Sequence, residues 1–217
     1  MGPHALMLSH VSNIQLITKF ANCVLQIEKI KGMTLHVIHL SRRRDRLDTL
    51  QEELLAQGVE EYRIWEGLED PLYPYRGISK AHKQVVGFAR EQKYPKILIG
   101  EDDLKFTAPG ALAYFLKKEP PVYDLYLGGI SYGSINDDQT VNDFSGTHLY
   151  MIRESFYQTF LSLPETGDID RKLKGLGRYI VCNPFVALQH NGFSDNTKRF
   201  MDYGPYFSGR SLLVAIP

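Results

Sequence analysis

Apolar positions along this chain recur with two periods that take turns. Leu35, Val37, Ile38 and Leu40 mark a β-rich run over residues 35–40. Residues 42–57 then carry Leu47, Leu50, Leu54 and Leu55 at helical spacing, and Gly58 stops the helix. The alternation continues with a strand over 62–65 and a loop over 68–78. A helix over 79–93 follows, with Ser79 as its expected N-cap and Val85, Val86, Phe88 and Ala89 on its buried side. Residues 96–100 are a short apolar run, the mark of a strand covered on both faces. Further on the pattern predicts a helix over 109–118, a strand over 123–127, a long polar loop over 128–143 expected to border the active site, a strand over 147–152 and a helix over 154–161. One or two late strands over 178–188, interrupted at Pro184, precede a tail with little periodicity. Strands alternating with helices predict a single α/β domain with a mostly parallel sheet flanked by helices.

Composition narrows the partners. The chain has 217 residues with 43% hydrophobic content, enough for one substantial core. Its 25 basic and 25 acidic residues cancel, so no global field draws in nucleic acid, and any anionic ligand needs a local site. Two cysteines, Cys23 and Cys182, make no disulfide framework and fit a reducing compartment. No apolar run approaches the ~20 residues of a membrane-spanning helix. Residues 1–32 hold a weakly amphipathic stretch over 14–30 without the marks of a signal peptide. The catalytic domain is expected over 33–217, with 1–32 an appended helix, a tag remnant or a misplaced start.

The candidate chemistry lies where the apolar run of 96–100 ends in Glu101, Asp102 and Asp103. Three adjacent carboxylates repel one another and raise their pKa values unless a cation sits among them. Oxygen ligands suit Mg²⁺ or Mn²⁺, which take one or two carboxylates and complete their shell with water and phosphate. Ligands of open α/β sheets bind beyond the carboxyl ends of strands, where this cluster falls. Extended backbone alternates its side chains, so Glu101 and Asp103 are expected to face one way and Asp102 the other. A solvated turn with Asp102 or Asp103 capping the next element is the plainer alternative.

Several segments, taken in order, carry a resemblance. They are residues 37–46 with Arg42, Arg43, Arg44, Asp45 and Arg46; Gly77 to His82; the apolar strand ending in Glu101-Asp102-Asp103; Leu125 to Gly129; Gly146 to Tyr150; Asp168 to Leu173; and Asn183-Pro184 through Gln189 with Phe193-Ser194-Asp195. Together they resemble glycosyltransferase family 25, the lipopolysaccharide-biosynthesis and collagen galactosyltransferase type. His39 stands where that family commonly has Asn, and Ala81 where Ser usually precedes the histidine.

The resemblance implies a GT-A-like nucleotide-sugar-binding sheet and transfer of a hexose from a UDP-sugar to a glycan or other hydroxyl acceptor, with inversion. It places a Mn²⁺ or Mg²⁺ ion on Asp103 and Glu101, with His190 completing the shell and Gln189 and Asp195 as competitors for that place. Arg43, Arg46, Glu101, Asp102 and His82 are the expected donor-binding residues. Arginine suits the role because its fork matches phosphate and its plane stacks on a base. Asp170, with Asp168 beside it, is the expected base for the acceptor hydroxyl. The bland readings are a solvated helical turn for Arg42 to Arg46 and an acidic helix start for Asp168 and Asp170. His148 is expected to be structural. Tyr132, Tyr203, Tyr206 and Phe207 are candidate sugar platforms or core-edge aromatics. A metal-dependent phosphohydrolase or nucleotidyltransferase, or a non-catalytic nucleotide- or glycan-binding relative, is the alternative. No transmembrane segment is expected, and the family analogy implies a cytoplasmic site with peripheral association at the inner membrane face.

Overall fold

Residues 32–215 are described by the computed structural model. Eleven strands and six helices follow one another there. The strands are β1 (Leu35–His39), β2 (Tyr62–Glu66), β3 (Lys96–Glu101), β4 (Leu104–Phe106), β5 (Leu125–Leu127), β6 (Thr140–Val141), β7 (Leu149–Arg153), β8 (Tyr179–Val181), β9 (Ala187–Gln189), β10 (Gly192–Ser194) and β11 (Arg199–Met201). The helices are α1 (Arg44–Ala56), α2 (Pro74–Glu91), α3 (Ala111–Lys117), α4 (Glu154–Leu161), α5 (Ile169–Lys172) and α6 (Gly204–Phe207). The expectations for the leader and for Cys23 lie outside the described residues.

Seven strands form the main sheet in the order β2-β1-β3-β7-β5-β8-β6. Strands β1, β2, β3, β5 and β8 run one way, and β7 and β6 run against them. The sheet is thus mostly parallel and flanked by helices, as the alternating pattern predicts. Apolar runs alone carry no strand direction, and β7 is antiparallel between β3 and β5.

The period of two in β3 divides the core. Leu98 packs with Leu35 and Val37 of β1 and with Leu50 and Leu54 of α1 on one face. Ile97 and Ile99 pack on the other face with Val85, Val86 and Ala89 of α2 and with Tyr157 and Phe160 of α4. Each such leucine removed from water stabilises the fold by about 2–3 kcal/mol. Leu55, expected in the α1 stripe, is 77% exposed. It lies about 100° round the helix from Leu54 and misses the sheet.

Helix α2 begins at Pro74, five residues before the expected Ser79 cap. Proline fits the first helical turn because that position needs no N–H and its ring presets φ. Ser79 is buried inside the helix instead. Gly77 lets the preceding segment pack against this longer helix. A Cβ there would lie 2.0 Å from the Leu68 carbonyl oxygen, so only glycine admits the 67–70 segment against the helix. The expected 128–143 loop contains β6 and pairs back on itself through the bridges Tyr132↔Ser145 and Ile135↔Val141.

The chain leaves β1 through α1 to reach β2 on one side, and leaves β2 through α2 to reach β3 on the other. The carboxyl ends of β1 and β3 therefore flank a topological switch point, where such sheets open a crevice. Strand β9 pairs with β4 just beyond the acidic cluster, and the β10–β11 hairpin follows it.

Candidate active site

A cleft of about 460 Å³ opens at that switch point. Ile38, Leu40, Leu68 and Ile78 give it an apolar end, while Glu101, Asp102, Asp103, Asp168 and Asp170 give it an acidic one. Ser194, Asp195, Asn196 and Thr197 of the hairpin line it too, with Tyr203 and Tyr206 after the hairpin. Its volume falls in the range of small-molecule sites.

The acidic residues have separate partners. Glu101 is the last extended residue; the chain turns at Asp102 and Asp103 before β4. The alternation argument therefore ends at Glu101, and all three carboxylates line the same cleft. Asp102 is bound on both oxygens: Oδ1 accepts from Arg46 at 2.6 Å, and Oδ2 lies 2.9 Å from His39 Nδ1. Glu101 accepts from the Thr147 hydroxyl at 2.7 Å, and His82 Nε2 lies 3.3 Å away without the alignment of a full hydrogen bond. His82 is fully buried, with Nδ1 2.9 Å from the Tyr150 hydroxyl.

Asp103 is the residue in conflict. It is 6% exposed, its Oδ2 has only distant partners in Gln189 (3.4 Å) and Arg46 (3.4 Å), and its Oδ1 is buried without any. Burial and the charges of Glu101 and Asp102 push the Asp103 carboxyl well above its ordinary range, against the pull of Arg46. Burial works the same way on Glu101, but there the adjacent His82 ring and the Thr147 hydroxyl prevail and hold it below its ordinary range. Two acids side by side are thus driven apart, Asp103 upward and Glu101 downward.

Asp170 faces the same cleft from α5. Its oxygens accept from the Gly146 N–H at 2.9 Å and the Arg171 N–H at 2.7 Å. Burial pushes its carboxyl up to about 6, with the negative charges of Asp168 and Glu101 adding to the effect. Gly146 adopts φ +118° to aim its N–H there, a conformation that strains any side chain. Asp168 lies at the mouth, accepting from the Asn196 amide at 2.9 Å.

The remaining candidates divide. Arg46 lines the cleft. Arg43 does not. It is buried against Asp45, Asp195 and the Phe193 carbonyl, all at 2.7–2.9 Å, and with Arg42 it ties the hairpin to the start of α1. The His190 ring bonds Glu53 at 2.9 Å and faces a smaller hollow behind Asp103, so the ring turns away from the main cleft. Gln189 takes the cleft side. The alternation along β9 and its continuation explains the difference. His148 is buried and hydrogen-bonded to the Ala187 carbonyl, a structural part as expected. Cys182 is buried and its thiol is pushed up to about 11. Phe207 is core, and Tyr132 stands outside the cleft. Thr147, which sequence reasoning passed over, sits within the Gly146 to Tyr150 segment; only its place opposite Glu101 gives it a role.

Asp103 Oδ1 is buried and unpartnered, while Oδ2 lies 3.4 Å from the Gln189 amide nitrogen. Among the described residues no three His, Cys, Asp or Glu side chains converge on one point, so any cation here would need ligand oxygens as well.

No protein-family model matches the sequence, and no curated protein matches it. Solved structures similar to the chain include HddC from Yersinia pseudotuberculosis complexed with GMP-PN, at 13% identity over 70% of this chain and 90% of that one, with a TM-score of 0.45. A second HddC structure matches at 12% identity over 70% of each chain, with a TM-score of 0.41. A glycosyltransferase involved in the glycosylation of the major capsid of PBCV-1 matches at 12% identity over 70% of this chain and 82% of that one, with a TM-score of 0.42. These are loose likenesses of α/β architecture. Among the described residues no helix is long and apolar enough to cross a membrane.

Proposed function

We propose that the chain is a metal-dependent glycosyltransferase that moves a hexose from a UDP-sugar to a hydroxyl acceptor, with inversion at the transferred carbon. One observation carries the reading: a buried, partnerless carboxylate oxygen on Asp103 shares a cleft with a second carboxyl, Asp170, held by two backbone N–H groups.

Asp103, through its unpartnered Oδ1, would hold Mn²⁺ or Mg²⁺ together with ligand oxygens. When bound, the ion supplies positive charge to the departing diphosphate. Asp102 has both oxygens engaged, by Arg46 and His39, so it positions the arginine at the cleft wall. Arg46, held by Asp102 and the Phe193 carbonyl, brings a fixed positive charge to the cleft wall for a phosphate. The apolar end formed by Ile38, Leu40, Leu68 and Ile78 seats the nucleobase.

Asp170 accepts the proton of the acceptor hydroxyl as the new bond to the sugar forms and the bond to phosphate breaks. A base tuned towards neutrality is ionised at pH 7 yet still takes a proton readily. The Gly146 and Arg171 N–H groups hold its oxygens in place.

The test is a thermal-shift measurement with UDP, run with Mn²⁺, with Mg²⁺ and with EDTA. UDP is expected to stabilise the fold only when a divalent ion is present, by about 2.7 kcal/mol at a hundred times its Kd. Equal stabilisation in EDTA would sink the metal role, and no stabilisation in any condition would sink the nucleotide site.

A further inference from the structure

Beside the cleft lies a second hollow, of about 470 Å³, that the proposed chemistry leaves unused. Ser131 lines both. Asn142 and Asp143 face the hollow, and two residues on, Ser145 and Gly146 face the cleft. The two spaces therefore share one rim. Asp170 and Arg171 make the same junction from α5. Asp170 lines the cleft, while Arg171 pairs with Asp143 at 2.7 Å and lies 4.6 Å from the centre of the Tyr132 ring.

The hollow's chemistry is that of a sugar seat. Tyr132 is 54% exposed, with the Arg171 guanidinium backing one side of its ring and the bridge to Ser145 fixing its backbone. Ser134, Asn136 and Asn142 supply neutral polar groups around it, and Arg210 is anchored by donating to the Gly133 carbonyl at 2.8 Å. A flat aromatic ring edged with hydroxyls and amides matches a pyranose, which is apolar on one face and hydroxylated at its rim. A cation is not the ligand here. The charge of Asp143 is already met by Arg171 and by Lys174 at 3.1 Å.

We infer that this hollow is an acceptor subsite, holding a pyranose one or more units away from the sugar whose hydroxyl meets Asp170. The acceptor class is then an oligosaccharide, not a free monosaccharide or an isolated side-chain hydroxyl. This rests on the transferase reading of the cleft.

Saturation-transfer NMR on the full chain, with and without UDP and Mn²⁺, tests it. The probes are three matched pairs: methyl α-glucoside with methyl α-maltoside, methyl β-galactoside with methyl β-lactoside, and methyl α-mannoside with methyl α-mannobioside. At least one disaccharide is expected to bind roughly tenfold more tightly than its monosaccharide. Tyr132→Ala should bring it down to the monosaccharide's affinity, and Tyr132→Trp should restore the gain. Equal binding within every pair, no binding by any probe, or a gain that survives Tyr132→Ala overturns the subsite. The UDP thermal shift in the same samples separates the two readings. Its absence in the unaltered chain sinks the transferase, whereas a normal shift with no disaccharide gain sinks the subsite alone.

Discussion

Asp103 and Asp170 are both carboxyls whose protons are held more tightly than usual, for different reasons. At Asp103 the cause is burial compounded by two acidic neighbours, and the group stays unsatisfied. Its raised folded-state pKa means that the fold is penalised as pH rises through that pKa, since the unfolded carboxyl ionises freely. Asp103→Asn is therefore expected to raise the melting temperature at pH 8 by roughly 2–4 °C, about 1 kcal/mol in a domain of this size. The same substitution should remove the Mn²⁺-dependent UDP shift, which calorimetric scans with and without EDTA would read. At Asp170 two backbone N–H donors satisfy the group and burial raises it to about 6. Transfer should then fall on the acid side with an apparent pKa near 6, because only the ionised form takes the acceptor's proton. Asp170→Asn should lower kcat by about 10²–10⁴-fold and leave UDP affinity in place. A full pH profile of both proteins checks this, and a variant that kept the acid limb would assign it elsewhere.

Two elements set the cleft's walls, and each depends on one local feature. Helix α2 can approach the segment after β2 only because Gly77 has no Cβ; any larger side chain would meet the Leu68 carbonyl oxygen at 2.0 Å. Gly77→Ala must move that backbone, at a cost of about 1–3 kcal/mol. Leu68 belongs to the apolar end of the cleft, so KM for the nucleotide sugar should rise several-fold with little change in kcat. Steady-state kinetics beside a denaturant melt would separate the two effects. The β10–β11 hairpin is held from the other side, where Asp195 takes Arg42 at 2.6 Å and Arg43 at 2.7 Å. Arg43, expected at the nucleotide, instead closes the cleft from outside.

For the whole molecule, the acidic cluster at the switch point couples cation binding to protons. A divalent ion on Asp103 would compete with a proton that burial and the acidic neighbours hold more tightly than usual. Mn²⁺ affinity should therefore increase with pH, by up to about tenfold per unit below the raised pKa, and level off above it. Isothermal titration in buffers of different ionisation enthalpy should also show protons released on binding. A pH-independent affinity with no proton release would mean that the ion binds elsewhere.

The sequence by itself determined the local periods, and with them most elements: the apolar 96–100 strand, the 154–161 helix, the carboxylates that end β3 and the α/β class. Those signals survive because they depend on residues three or four apart, or two apart, within one segment. Its ordered segments also put forward Asp170 and, for the late cation ligand, His190 with Gln189 as a competitor. Strand direction, the antiparallel insertion of β7, the turning of His190 towards Glu53 and the diversion of Arg43 to the hairpin were decided only in the folded chain. Each of these depends on partners tens of residues away, between elements whose separate patterns say nothing about which will meet. Burial works the same way. No spacing of residues reveals that one oxygen of Asp103 is left without a partner, because that is a property of the surrounding atoms, and the proposed chemistry begins from it.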